Sequence, residues 1–94
     1  MSAFTQLDTL VRTIDARKDA DPKASHVAKM LKKGPLTIAK KLGEEAVETA
    51  IAAASNDREQ VVYESSDLLF HLMLLWHAMN VTPAEVMQEL ARRD

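Results

Sequence analysis

Glu59-Gln60-Val61-Val62-Tyr63-Glu64-Ser65-Ser66-Asp67-Leu68-Leu69-Phe70-His71-Leu72-Met73-Leu74-Leu75-Trp76-His77-Ala78-Met79 runs without glycine or proline and reads as one long helix. Ser55-Asn56-Asp57-Arg58 before it has turn composition, and Pro35 opens another helical stretch from about Leu36 to Ala54. Two long helices joined by so short a turn must lie antiparallel, as a hairpin. Outward from the hairpin, Phe4, Leu7, Leu10, Val11 and Ile14 mark a first helix over about residues 3–17. Ser25 caps a short helix that stops at Gly34, and Thr82-Pro83-Ala84-Glu85 opens a last helix reaching about Arg92. With 2 glycines and 3 prolines in 94 residues and no β-patterned run, the expected fold is all-α. It is expected to be one domain over residues 1–94, a hairpin with flanking helices.

Each arm of the hairpin carries an acidic couplet at i, i+3 spacing, Glu45-Ala46-Val47-Glu48 and Glu64-Ser65-Ser66-Asp67. Residues three apart share a helix face, so each couplet aims two carboxylates at one place. Glu48 precedes the turn by nearly the distance at which Glu64 follows it, which sets the acids at similar depth. Four carboxylates converging there would raise one another's pKa and oppose folding unless a cation sat among them. An all-oxygen donor set suits Mg²⁺, with Mn²⁺ as a substitute. The competing reading is a solvated face with ordinary ion pairs. Against it, Asp67 enters the apolar run Leu68-Leu69-Phe70, where an unpaired acid is rare. On an ideal helical wheel Glu44 and Glu48 flank Ile51 at the edge of an Ala46, Val47, Ala50, Ala54 stripe, and Glu45 points further toward solvent. His71 extends the Glu64 and Asp67 face; a histidine bonded inside the core is the plainer reading. Met30, Met73, Met79 and Met87 fall at core spacing and are assigned packing.

Charge is distributed in blocks. From Pro22 to Gly43 there are six lysines and no acid, whereas Glu44 to Asp67 holds seven acids against Arg58 alone. A polyphosphate held through metal on one side and ammonium groups on the other needs both. The helix after the lysines carries the acids, which argues against a duplex reader and any nucleic-acid partner. Cysteine is absent, so disulfides, thiolate zinc sites and cysteine nucleophiles are excluded. The N-terminus has no basic and apolar signal pattern, and the apolar run from about Leu68 to Met79 falls short of the roughly 20 residues that span a bilayer. A cytoplasmic protein with no membrane partner is expected. The apolar faces of the hairpin and first helix exceed what one small chain can cover, so a homodimer that completes a helical bundle is expected too.

The string Gly34-Pro35-Leu36-Thr37-Ile38-Ala39-Lys40-Lys41-Leu42-Gly43-Glu44-Glu45-Ala46-Val47-Glu48-Thr49, followed by Glu64-Ser65-Ser66-Asp67-Leu68-Leu69-Phe70-His71-Leu72, resembles the phosphoribosyl-ATP pyrophosphatase family of histidine biosynthesis. The broader all-α NTP pyrophosphohydrolase superfamily shares only the acidic pattern. The resemblance implies a stand-alone enzyme that cuts phosphoribosyl-ATP between its α- and β-phosphates, yielding phosphoribosyl-AMP and pyrophosphate. It implies Mg²⁺ on Glu45, Glu48, Glu64 and Asp67, with Glu44 or one of that set accepting a proton from water. Lys40, Lys41 and Lys33 would stabilise the leaving pyrophosphate, and the site would lie near a subunit boundary. Where the family commonly has an aromatic residue after the serine, this chain has His26, a candidate substrate contact; Phe70 stands where a tyrosine is frequent. A pyrophosphatase acting on other NTPs or dNTPs, and a non-catalytic nucleotide-binding dimer, remain as alternatives.

Overall fold

The computed structural model describes residues 2–93, and among these every regular element is a helix. In chain order they are α1 (Thr5–Arg17), α2 (His26–Lys33), α3 (Pro35–Ala54), α4 (Arg58–Ala78) and α5 (Pro83–Ala91). The ends follow local chemistry. Ser25 Oγ accepts the Ala28 N–H at 3.2 Å at the start of α2, and Asp57 Oδ1 accepts the Gln60 N–H at 3.2 Å at the start of α4. Thr82 and Glu85 form a reciprocal capping box on α5. Helices α3 and α4 both end on an asparagine in the left-handed region, Asn56 (φ 56°) and Asn80 (φ 57°). In each case the two following-residue amides turn back on the last turn: Asn56 to Ala53 and Asp57 to Ala52, Asn80 to His77 and Val81 to Trp76. That closed end after Ala54 makes the hairpin turn tight.

Helices α3 and α4 pack against each other along the hairpin, α2 lies across both, and α1 lies on α4. The core is Ile14, Val27, Met30, Ile38, Met73 and Leu74, with Leu7, Leu10, Val11, Leu31, Phe70, Leu75 and Trp76 packed around it. Burial of such side chains contributes about 1.5–3 kcal/mol each. Phe4, Met79 and Met87 are exposed, so the packing expected of them is not made within this chain.

The inner face of α3 differs from the one expected. It runs through Ile38, Leu42, Glu45, Thr49 and Ala52, at alternating spacings of four and three. Glu45 is only 7% exposed, while Ala46, Val47, Ala50, Ile51 and Ala54 face outward. The wheel placed Glu45 toward solvent because apolar content was taken to mark the inner face. On α3 the more apolar stripe is the outer one, and the face packed in this chain carries a carboxylate and a hydroxyl.

Candidate active site

The antiparallel hairpin brings Glu45 of α3 to Asp67 and His71 of α4. One ligand atom from each of these three lies within 4.8 Å of the others, a spacing that a single cation can bridge. Nδ1 of His71 is 2.8 Å from Glu45 Oε1 and 3.0 Å from the Asp67 carbonyl oxygen. Oε1 is buried, and apart from this contact with His71, which falls outside hydrogen-bond geometry, it has no partner. An orphaned carboxylate oxygen costs about 1–3 kcal/mol or more, so its persistence needs a reason.

The electrostatics agree. Burial first, then repulsion from Asp67 and a proton shared with it, and lastly repulsion from Glu64, push the Glu45 carboxyl up to about 7, against an opposing pull from His71. Glu64 is raised as well, by burial first, then by a hydrogen bond to Glu48 and repulsion from Glu48 and Asp67. The two couplets therefore meet as two neighbouring pairs, Glu45 with Asp67 and Glu48 with Glu64. The depth match across the turn anticipated this. The tight three-residue group contains His71, however, which periodicity alone favoured as a core residue. It is both, 5% exposed and against the carboxylates. Its position four residues after Asp67 was the available signal.

Around the acids, the remaining candidates lie at the surface. Glu44 and Glu48 are exposed, Glu64 and Asp67 half-buried, and Lys33, Lys40 and Lys41 exposed. Among the described residues the ion pairs are Asp8 with Arg12, Asp15 with Lys18, Glu89 with Arg92 and the His71 contact with Glu45, so none engages these lysines. His26, at the start of α2, stacks on Phe70 with centroids 5.8 Å apart and planes 17° apart. Phe70 in turn meets His71 edge-on at 5.1 Å. Partial burial, then repulsion from His71, Lys29 and Lys33, hold the His26 pKa below its usual value. The His26 ring is thus a neutral, aromatic neighbour of the acidic group, and lysines of the basic block stand next to it.

The family model for phosphoribosyl-ATP pyrophosphohydrolase matches residues 7–94. A phosphoribosyl-ATP pyrophosphatase of Azospirillum brasilense is 49% identical over 88 residues, covering 94% of this chain and 79% of that protein. That of Rhodobacter capsulatus is 51% identical over 90 residues, 96% of this chain and 87% of its own length. That of Parvibaculum lavamentivorans is 54% identical over 90 residues, covering 96% and 83%. The likeness spans nearly the whole chain, and the chain belongs to the phosphoribosyl-ATP pyrophosphohydrolase family.

Proposed function

We propose that this chain hydrolyses phosphoribosyl-ATP to phosphoribosyl-AMP and pyrophosphate, a step of histidine biosynthesis, at the acidic group between α3 and α4. The observation that carries the reading is the buried Glu45 carboxylate, one oxygen of which lies within 4.8 Å of ligand atoms of Asp67 and His71, in a chain half identical to phosphoribosyl-ATP pyrophosphatases. The donor set fits a divalent cation: hard oxygens, clustered charge and a buried carboxylate oxygen that makes no hydrogen bond. Mg²⁺ is the ion we assign, with Mn²⁺ able to replace it, held by Glu45, Glu48, Glu64 and Asp67. When bound there, such a cation supplies neutralisation of phosphate charge and acidification of water.

The chain's own residues do the rest. Glu45 and Asp67 form the buried end of the site and fix where the α-phosphate region of the substrate sits. Glu48 and Glu64, nearer the hairpin tip, or exposed Glu44, accept the proton from the attacking water; a carboxyl raised by its neighbours is suited to that role. Lys33, Lys40 and Lys41 carry free ammonium groups toward the departing pyrophosphate, where charge develops as the anhydride bond breaks. The stacked His26 and Phe70 offer an apolar edge for the nucleoside end. Residues 1–94 act here as one domain, and the cytoplasm is the compartment we assign to this biosynthetic reaction. No helix among the described residues is long and apolar enough to cross a membrane.

A homodimer is part of the proposal. Folded monomers of this mass expose about 5,400 Å², whereas this chain exposes 6983 Å². The excess, roughly 1,600 Å² per chain, is what an obligate dimer interface removes. The exposed Val47 and Ile51 stripe of α3, with Val62, Tyr63 and Leu69 of α4, supplies apolar surface for it.

The test is release of pyrophosphate by the purified chain with Mg²⁺, from phosphoribosyl-ATP and from a panel of NTPs and dNTPs. Phosphoribosyl-ATP is expected to be cleaved far faster than the panel, and Glu48→Gln and Asp67→Asn to lose about a hundredfold or more in turnover while remaining helical. Preference for another nucleotide makes it a general nucleotide pyrophosphatase. Binding without pyrophosphate release makes it a regulator.

A further inference from the structure

Nδ1 of His71 stands between two oxygens of different kinds. One is the carbonyl of Asp67, a turn earlier on α4, at 3.0 Å. The other is Oε1 of Glu45, on α3, at 2.8 Å. A carbonyl oxygen only accepts, so Nδ1 carries the proton and donates it there, which fixes both the tautomer and the rotation of the ring. The ring is 5% exposed and meets Phe70 edge-on at 5.1 Å, so its surroundings hold it closely. Oε1, 2.8 Å from this anchored N–H, is drawn to its positive end and is otherwise buried without a hydrogen bond. Its place is therefore set from the opposite helix while its lone pairs stay available.

We infer that His71 is a positioning residue: anchored on the Asp67 carbonyl, its Nδ1–H sets the Glu45 carboxylate across the α3–α4 interface in the orientation in which it binds a cation. The inference rests on the reading above that a divalent cation binds at this group. It adds to that reading a role for His71, which makes no direct bond to the ion. It differs from a packing role, because a residue that only filled space would not need a nitrogen at this point. Groups that orient a metal ligand in this way typically govern affinity by about 10–100-fold.

Three variants of the full chain separate the possibilities, with Mn²⁺ as the probe, read by electron paramagnetic resonance without substrate, and with helicity and Tm recorded for each. His71→Asn puts an amide N–H close to the Nδ1 position. His71→Gln puts one close to Nε2, and His71→Leu keeps bulk without a donor. Positioning through Nδ1 predicts that the asparagine variant retains most of the Mn²⁺ affinity while glutamine and leucine each weaken it about tenfold or more. A packing role gives the reverse order, leucine best and asparagine worst, and overturns the inference. Direct ligation through Nε2 favours glutamine over asparagine and overturns it too. If the leucine variant does not fold, the order of asparagine and glutamine still decides. A wild-type chain that binds no Mn²⁺ overturns the cation reading itself and this inference with it, an outcome distinct from unequal variants of a chain that binds.

Discussion

A carboxylate enclosed as Glu45 is titrates late. Its pKa stands at about 7, whereas in the unfolded chain it returns to the ordinary value near 4.3. Between those two pH values the folded state holds a proton that the unfolded state has released, so stability falls as pH rises through this window and the full penalty is present above about 7. The direction is opposite to that of a salt-bridged acid. For the cation-free chain, Tm is therefore expected to drop between pH 5 and pH 8 by several degrees, corresponding to about 2 kcal/mol. Glu45→Gln should flatten that drop, and Mg²⁺ added at pH 8 should reverse it in the wild type by binding the ionised form. A Tm that rises with pH in the wild type, or an unchanged drop in the Gln variant, would show that Glu45 is not the group that titrates. None of this was legible from composition, because Glu44, Glu45 and Glu48 are alike as residues and only packing separates the buried one from the other two.

At the scale of elements, the helix ends were the most legible part of the chain. Ser25, Gly34, Pro35 and the Thr82 box each appear where their side-chain chemistry places them, since capping depends on a few adjacent residues and little else. Which face of α3 turns inward was not legible. Periodicity reports that a helix has an apolar stripe, but the stripe can face the chain's own core or something beyond it, and Ile51 and Val47 take the second course. Gly34 yields a test at this level. It ends α2 and begins α3 with φ 94° and ψ 172°, a region that only glycine enters freely. A Cβ there would meet nothing within 4 Å, so any cost of Gly34→Ala is backbone strain and not a clash. That cost is expected at about 1–3 kcal/mol, measured as a fall in urea midpoint. Because this joint orients α2 on α3, and so His26 and Lys33 relative to the acids, KM for phosphoribosyl-ATP should rise more than kcat falls. An Ala variant as stable as wild type would remove the strain argument.

The whole molecule is looser than its length requires. A compact chain of this size has a radius of gyration of about 12 Å, whereas this one has 14.2 Å, and α5 contains no buried residue. Together with the surplus exposed surface, this supports assembly with a second copy. Light scattering at micromolar concentration is expected to give the mass of a dimer, and Ile51→Lys or Val62→Lys to shift it to monomer by placing ammonium groups on the apolar face. A wild-type monomer with full activity would mean that these faces need no cover. A dimer is expected from the excess of apolar surface in the sequence, but the residues that supply the surface emerge only once α3 is seen to turn Val47 and Ile51 outward.

The hairpin places Glu45, Asp67 and His71 on one polypeptide, within reach of one another. The consequence is a genetic one. In the proposed dimer and with the proposed site, two alleles, one damaged at Glu45 and the other at Asp67, are expected not to restore each other, since every subunit inherits a broken set; a damaged allele paired with an intact one leaves one set whole and is expected to behave as recessive.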